Sequence, residues 1–114
     1  LEYTEQVAGI AHDGGVPLHL DGARLFNAAV SLGVPAADLA RPADSVMISL
    51  SKGLACPIGS LVAGDHAFAK RARRGRKLVG GNMRQAGIIA AATDKDYDVL
   101  RDMAKILQLD IAKL

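Results

Sequence analysis

Residues 1–114 predict an α/β fold, a mainly parallel sheet with flanking helices. Two features of the chain carry that expectation. Helix-like and strand-like segments follow one another in the order helix, strand, helix, strand, strand, helix, which is the pattern of βαβ packing. The interval between the ends of the first two strand segments, from Asp21 to Lys52, is also long enough for one crossover helix, as a parallel pair requires.

The elements can be taken in order. TEQVAGIAHD (4–13) places Val7, Ile10 and Ala11 at helical spacing, and Asp13-Gly14-Gly15 stops the helix. VPLHLD (16–21) reads as a short apolar strand, with Pro17 near its start, where a missing N–H is tolerated. After Gly22, ARLFNAAVSL (23–32) puts Leu25, Ala28, Ala29 and Leu32 on one helical stripe. Gly33 stands where a left-handed C′ glycine belongs, and Pro35 follows it. A loop containing Pro42 is expected next, then a buried strand SVMISLS (45–51) ended by Lys52-Gly53. A break over 55–59 leads to a third short strand at Ser60–Ala63. Asp65 is placed to cap a helix running to about Lys77. Gly80-Gly81-Asn82 is a turn, and Met83–Ala92 is expected to be helical. Residues 93–114 carry Tyr97, Leu100, Ala104, Leu107, Ile111 and Leu114 at three and four spacing, an amphipathic helix. No repeat, linker or low-complexity tract divides the chain, so a single domain is expected.

Composition narrows the function classes. Half of the residues are apolar and 23% are charged, a globular balance. The uncharged stretch 53–64 is too short to span a bilayer, so no membrane segment is expected, and LEYTEQ does not read as a signal peptide. The single cysteine, Cys56, excludes an internal disulfide framework and a cysteine-rich zinc site, and a reducing, cytoplasmic setting is expected. Cys56 itself reads as a small buried residue. No metal is expected. Residues 70–84 hold seven of the fourteen Lys and Arg and no acid, although the net charge is only +2. That local excess points to an anion contact at one place. It lacks the interleaved aromatics of a nucleic-acid platform, so no nucleic-acid partner is expected.

The chemistry concentrates where two strands end. In open α/β sheets ligands bind at the carboxyl edge, and parallel pairing would bring Asp21 and Lys52 there together. A partly desolvated lysine is the residue that attacks a carbonyl carbon to form an imine. A pyridoxal cofactor needs such a lysine and a carboxylate against its ring nitrogen, which Asp21 can supply. His19, two residues earlier on the same strand face, could orient that carboxylate. Arg24 could clamp a substrate carboxylate bidentately. The same residues have plainer readings. An Asp at a strand end is commonly a cap or turn former, a Lys before Gly is commonly surface, and a His in an apolar strand is commonly a bonded core residue.

Three blocks resolve that choice by resemblance. HLDGARLFNAAV (19–30), SLSKGLACPIGSLVAGD (49–65) and ARRGRKLVGGNMRQAG (72–87) resemble the low-specificity threonine aldolases, over about residues 3–92. These are pyridoxal-phosphate lyases with the fold-type-I, aminotransferase-like architecture. The resemblance implies retro-aldol cleavage of threonine or allo-threonine to glycine and acetaldehyde. It implies that Lys52 carries pyridoxal 5'-phosphate, that Asp21 pairs with the pyridine nitrogen and that Arg24 holds the substrate carboxylate. Lys77 and Arg84 become candidate cofactor anion contacts, while Arg71, Arg73 and Arg74 read as a solvated helix face. Asn82 stands where the family's turn has glycine, and His12 and His66 do not match the family's ring-stacking histidine.

The same resemblance identifies the chain as a partial cofactor domain, with 93–114 outside the match. The family's phosphate loop, ring-stacking histidine, small domain and further carboxylate-binding arginine fall outside this stretch. Little or no aldolase activity is expected of the chain alone, and a homo-oligomer, dimer or tetramer, is expected of the full-length enzyme. Another fold-type-I lyase, a β-eliminating one, and a noncatalytic interaction fragment are the alternatives.

Overall fold

The computed structural model describes residues 1–82 together with Arg84, Gln85 and Gly87. Of the helix expected at 83–92, Arg84 and Gln85 instead form a turn, with Gln85 at φ 53°, and Gly87 is helical; its other residues and the helix expected at 93–114 lie outside the described residues. The elements are α1 (Glu2–Asp13), β1 (His19–Asp21), α2 (Leu25–Leu32), α3 (Ala36–Ala40), β2 (Ser45–Ser49), β3 (Ser60–Gly64) and α4 (His66–Leu78).

The three strands form one sheet in the order β1-β2-β3. β1 pairs with β2 in parallel, Leu20 opposite Val46 and Asp21 opposite Met47. β3 pairs with β2 antiparallel, Val46 opposite Ala63 and Ile48 opposite Leu61. The expectation of a mainly parallel sheet is therefore corrected to a mixed one. The reason is the connection lengths. Twenty-three residues with two helices join β1 to β2, but only ten without a helix join β2 to β3, too few for a parallel crossover.

Strand register divides the sheet into two faces. Leu20, Val46, Ile48, Leu61 and Ala63 share one face, and all of them belong to the core with Leu25, Phe26, Ala36, Leu39, Ala40, Leu50, Leu54 and Cys56. The core is thus aliphatic apart from Phe26, and Cys56 is buried within it, its thiol directed to the Leu54 carbonyl at 3.5 Å. The opposite, open face carries His19, Asp21, Met47, Ser49, Ser60 and Val62.

Several boundaries move for identifiable reasons. The first strand is His19–Asp21, not 16–21. Pro17 has no N–H, and the Leu18 N–H donates to the Asp44 side chain at 2.7 Å rather than to a strand carbonyl. The loop expected before β2 contains α3, which follows Pro35 and stops before Pro42. Its run AADLA is too short for helical periodicity to register. Of the stripe expected on α2, Leu25 and Ala29 are buried, while Leu32 is exposed. On α1 the buried position is Ala8, and Ile10 faces solvent. Gly33 ends α2 in the left-handed conformation, at φ 66°, as expected. Asp65 caps α4 by accepting the Phe68 N–H at 2.6 Å.

One electrostatic link ties α1 to the sheet. Asp44 Oδ2 also meets His12 Nε2 at 2.8 Å. The His12 hydrogen bond, and after it the Leu18 N–H, hold the Asp44 carboxyl below its ordinary range. A carboxyl depressed by folding stabilises the fold above its unfolded value, and that contribution disappears as pH falls through the folded one. The Tm gap between the wild type and Asp44→Ala is therefore expected to be full at pH 6 and to close below about pH 4. A gap of constant size from pH 6 to pH 3 would contradict this.

Candidate active site

The site is built where β1 and β2 end side by side. After Asp21 the ladder continues for one residue, with the Gly22 N–H donating to the Met47 carbonyl at 2.8 Å. The chain then turns away from the sheet, and Leu25 N–H donates to the Gly22 carbonyl at 2.8 Å as α2 begins. This turn requires glycine. A Cβ at position 22 would lie 2.9 Å from the Met47 carbonyl oxygen and 2.9 Å from Val46 Cγ2. With no room for a side chain at 22, Asp21 sits at the last pairing position and Arg24 at the mouth of α2.

Asp21 is oriented by the backbone. Its Oδ1 accepts the Ala23 N–H at 3.1 Å, an Asx turn, and its side chain makes no other hydrogen bond among the described residues. The orienting role expected of His19 is corrected. His19 Nδ1 pairs with Ser45 Oγ at 2.8 Å, and its ring lies 6.4 Å from that of Phe68 on α4. His19 belongs to the far end of the open face, where α4 starts.

Lys52 stands just past β2, in a loop closed by hydrogen bonds at its neck. Leu50 N–H donates to Gly59 O at 2.9 Å and Cys56 N–H to Leu50 O at 3.0 Å. At the tip, Ala55 N–H donates to Lys52 O at 3.1 Å. Lys52 and Arg24 are exposed, and neither side chain forms an ion pair or hydrogen bond among the described residues. The parallel register of β1 and β2 thus brings three groups to one carboxyl edge: a carboxylate with a spare oxygen, an unpaired ammonium and an unpaired guanidinium. Ser49 and Ser51 add hydroxyls beside Lys52, with their Oγ atoms 3.3 Å apart.

The basic run is placed differently. Lys70, Arg71, Arg73, Arg74, Arg76 and Lys77 all lie on exposed positions of α4, which follows directly on β3. Because β3 runs antiparallel to β2, with Gly64 opposite Ser45, α4 begins at the sheet edge away from Asp21 and Lys52. Lys77 and Arg84 are exposed and make no hydrogen bond or ion pair with Asp21, Arg24 or Lys52. Among the described residues no three His, Cys, Asp or Glu gather as a metal site, and no helix is long and apolar enough to cross a membrane.

Sequence reasoning missed three parts of this edge: the Ala23 N–H that fixes Asp21, the close approach at Gly22, and the contact of Asn27 with Gly53. The Asp-Gly pair at 21–22 is the signal that could have found the first. The other two depend on contacts between segments distant in the chain.

The chain is similar to known proteins. The family model of the beta-eliminating lyases matches residues 1–112. The low-specificity L-threonine aldolase 1 of Arabidopsis thaliana is 53% identical over 92 residues, 81% of this chain and 26% of that protein. The low specificity L-threonine aldolase of Escherichia coli K12 is 46% identical over 91 residues, 80% of this chain and 27% of that protein. Among solved structures, a protein from Exiguobacterium sp. 255-15 described as an aromatic amino acid beta-eliminating lyase/threonine aldolase superposes with a TM-score of 0.72 at 35% identity, over 87% of this chain and 28% of its own. A Listeria monocytogenes protein described as an L-allo-threonine aldolase gives 0.72 at 28% identity, over 94% of this chain and 29% of its own. The chain therefore spans about a quarter of the length of the curated relatives it matches. Its fold is part of the fold-type-I, aminotransferase-like domain, and the chain belongs to the beta-eliminating lyase family.

Proposed function

We propose that this chain is the lysine-bearing segment of a pyridoxal-phosphate-dependent aldehyde-lyase that cleaves threonine or allo-threonine to glycine and acetaldehyde. The observation that carries the reading is the joint placement of Asp21, Arg24 and Lys52 at one carboxyl edge, each with bonding capacity left open. The similarity to enzymes named as threonine aldolases supports the choice of reaction.

The donor set fits the cofactor. When bound, pyridoxal phosphate supplies an electron sink for the pair released as the Cα–Cβ bond breaks. Lys52 supplies the amine that joins the cofactor covalently. Asp21, whose second carboxylate oxygen is left open, would hold the cofactor's ring nitrogen in its protonated form. Arg24 takes the substrate carboxylate in a two-pronged grip and so fixes which bond at Cα can break. The full-length enzyme is expected to act as a homo-oligomer on a small amino-acid substrate. A β-eliminating lyase is the second reading, favoured by the family description and by the Exiguobacterium relative. Product analysis separates them, because cleavage of allo-threonine yields acetaldehyde and glycine whereas β-elimination yields ammonia and a 2-oxo acid.

The direct test is to incubate the purified chain with pyridoxal phosphate, reduce with borohydride, and map the modified lysines by peptide mass. Labelling concentrated on Lys52 is expected, with Lys70 and Lys77 at background. Labelling spread evenly over the exposed lysines would remove the support for the reading.

A further inference from the structure

The tip of the Lys52 loop does not stand free. Asn27, on the first turn of α2, packs its carboxamide directly against Gly53. A Cβ built on Gly53 would fall inside that carboxamide, in contact with Asn27 Oδ1 and 2.9 Å from its Cγ. Gly53 is not at positive φ, so it is the approach of Asn27, not backbone conformation, that requires glycine here. Asn27 lies three residues after Arg24, one helical turn along the same side of α2. Its carboxamide makes no hydrogen bond among the described residues, so packing on Gly53 is what it does in this fold.

The loop needs such a contact. Its neck is fixed by Leu50, Cys56 and Gly59, whereas among the described residues the tip has a single backbone bond, from Ala55 N–H to Lys52 O, and Ala55 is held at φ 53°, a costly conformation for a residue with a Cβ. Leu54, Cys56 and Leu50 anchor the loop to the core beneath. Lys52 and Gly53 themselves are exposed.

We infer that Asn27 is a positioning residue: its carboxamide, packed on Gly53, holds the Lys52 turn against α2 and so fixes the Lys52 amine relative to Arg24 and Asp21. The purpose assigned to this contact rests on the reading of Lys52 as the cofactor lysine. The contact itself does not.

Amide hydrogen exchange on the wild-type chain and four variants tests it. In Asn27→Ala, exchange at Ala55 is expected to accelerate about fivefold while Leu50 and Cys56 at the neck keep their rates. Gly53→Ala expels the carboxamide and is expected to do the same. The double variant is expected to exchange no faster than either single one, because both remove one contact. Asn27→Asp, which keeps the shape of the side chain, is expected to stay within about twofold of wild type at Ala55. Unchanged exchange at Ala55 in Asn27→Ala, equal acceleration at tip and neck, or multiplied effects in the double variant would each overturn the inference.

Pyridoxal-phosphate labelling of the same samples keeps the two readings apart. Wild-type protein that leaves Lys52 unlabelled, with the exchange pattern as expected, overturns the cofactor reading alone. Labelled Lys52 with no change at Ala55 overturns the positioning role alone.

Discussion

Lys52→Ala is expected to abolish reducible attachment of pyridoxal phosphate to the 50–59 loop and to leave the fold intact. None of the loop's hydrogen bonds uses the Lys52 side chain. Its carbonyl accepts from Ala55, and the neck is closed by backbone groups of Leu50, Cys56 and Gly59. The side chain is exposed and makes no ion pair among the described residues, so its loss is a surface truncation worth within about 0.5 kcal/mol of stability. Lys52→Arg is the sharper variant. It keeps the positive charge and the length, but a guanidinium stays protonated and does not attack a carbonyl. Both variants are expected to lose the label completely with an unchanged Tm. An undiminished amount of label on the whole protein in Lys52→Arg, carried by other lysines, would mean that the amine chemistry belongs elsewhere. In the full-length enzyme the same substitutions are expected to reduce glycine formation to background.

How much of this site was legible in the chain follows from how local each interaction is. Asp21, Arg24 and Lys52 could be singled out because strand ends, glycine breaks and residue chemistry are properties of a few neighbouring positions. The Asp65 cap and the Gly33 terminus were readable for the same reason, since each is decided within one turn of helix. The antiparallel β3 was accessible from connection length but was outweighed by the alternation of elements. His19 was assigned to Asp21 because they share a strand face. The pairing of β1 with β2 instead sets Ser45 directly opposite His19, and the nearer hydroxyl takes the ring nitrogen. The Asn27–Gly53 contact joins positions twenty-six residues apart, and no local pattern in either segment announces it.

That locality also decides how Asp21 must be tested. Its carboxylate does two things at once: Oδ1 terminates β1 by accepting the Ala23 N–H, and its charge faces the edge where Lys52 stands. Asp21→Ala removes both, so a lost activity would mix a loosened turn with lost electrostatics. Asp21→Asn separates them. The side-chain amide oxygen still accepts the Ala23 N–H, so the turn, Gly22 against Met47, and the start of α2 are expected to stay in place, with Tm within about 1 kcal/mol equivalent of wild type. What disappears is the negative charge that, in the proposed function, would keep the cofactor's ring nitrogen protonated. Stabilisation of charge in the transition state by one preorganised group is worth about 10^2- to 10^3-fold in kcat. Asp21→Asn in the full-length enzyme is expected to lose that factor in kcat, with a much smaller change in KM, because the proposed grip on the substrate carboxylate falls to Arg24 and not to Asp21. The covalent label at Lys52 is expected to survive, since the amine is untouched. Near-normal kcat in Asp21→Asn would show that the pyridine nitrogen needs no charge from this strand end, and Asp21 would then be only the turn former that caps β1.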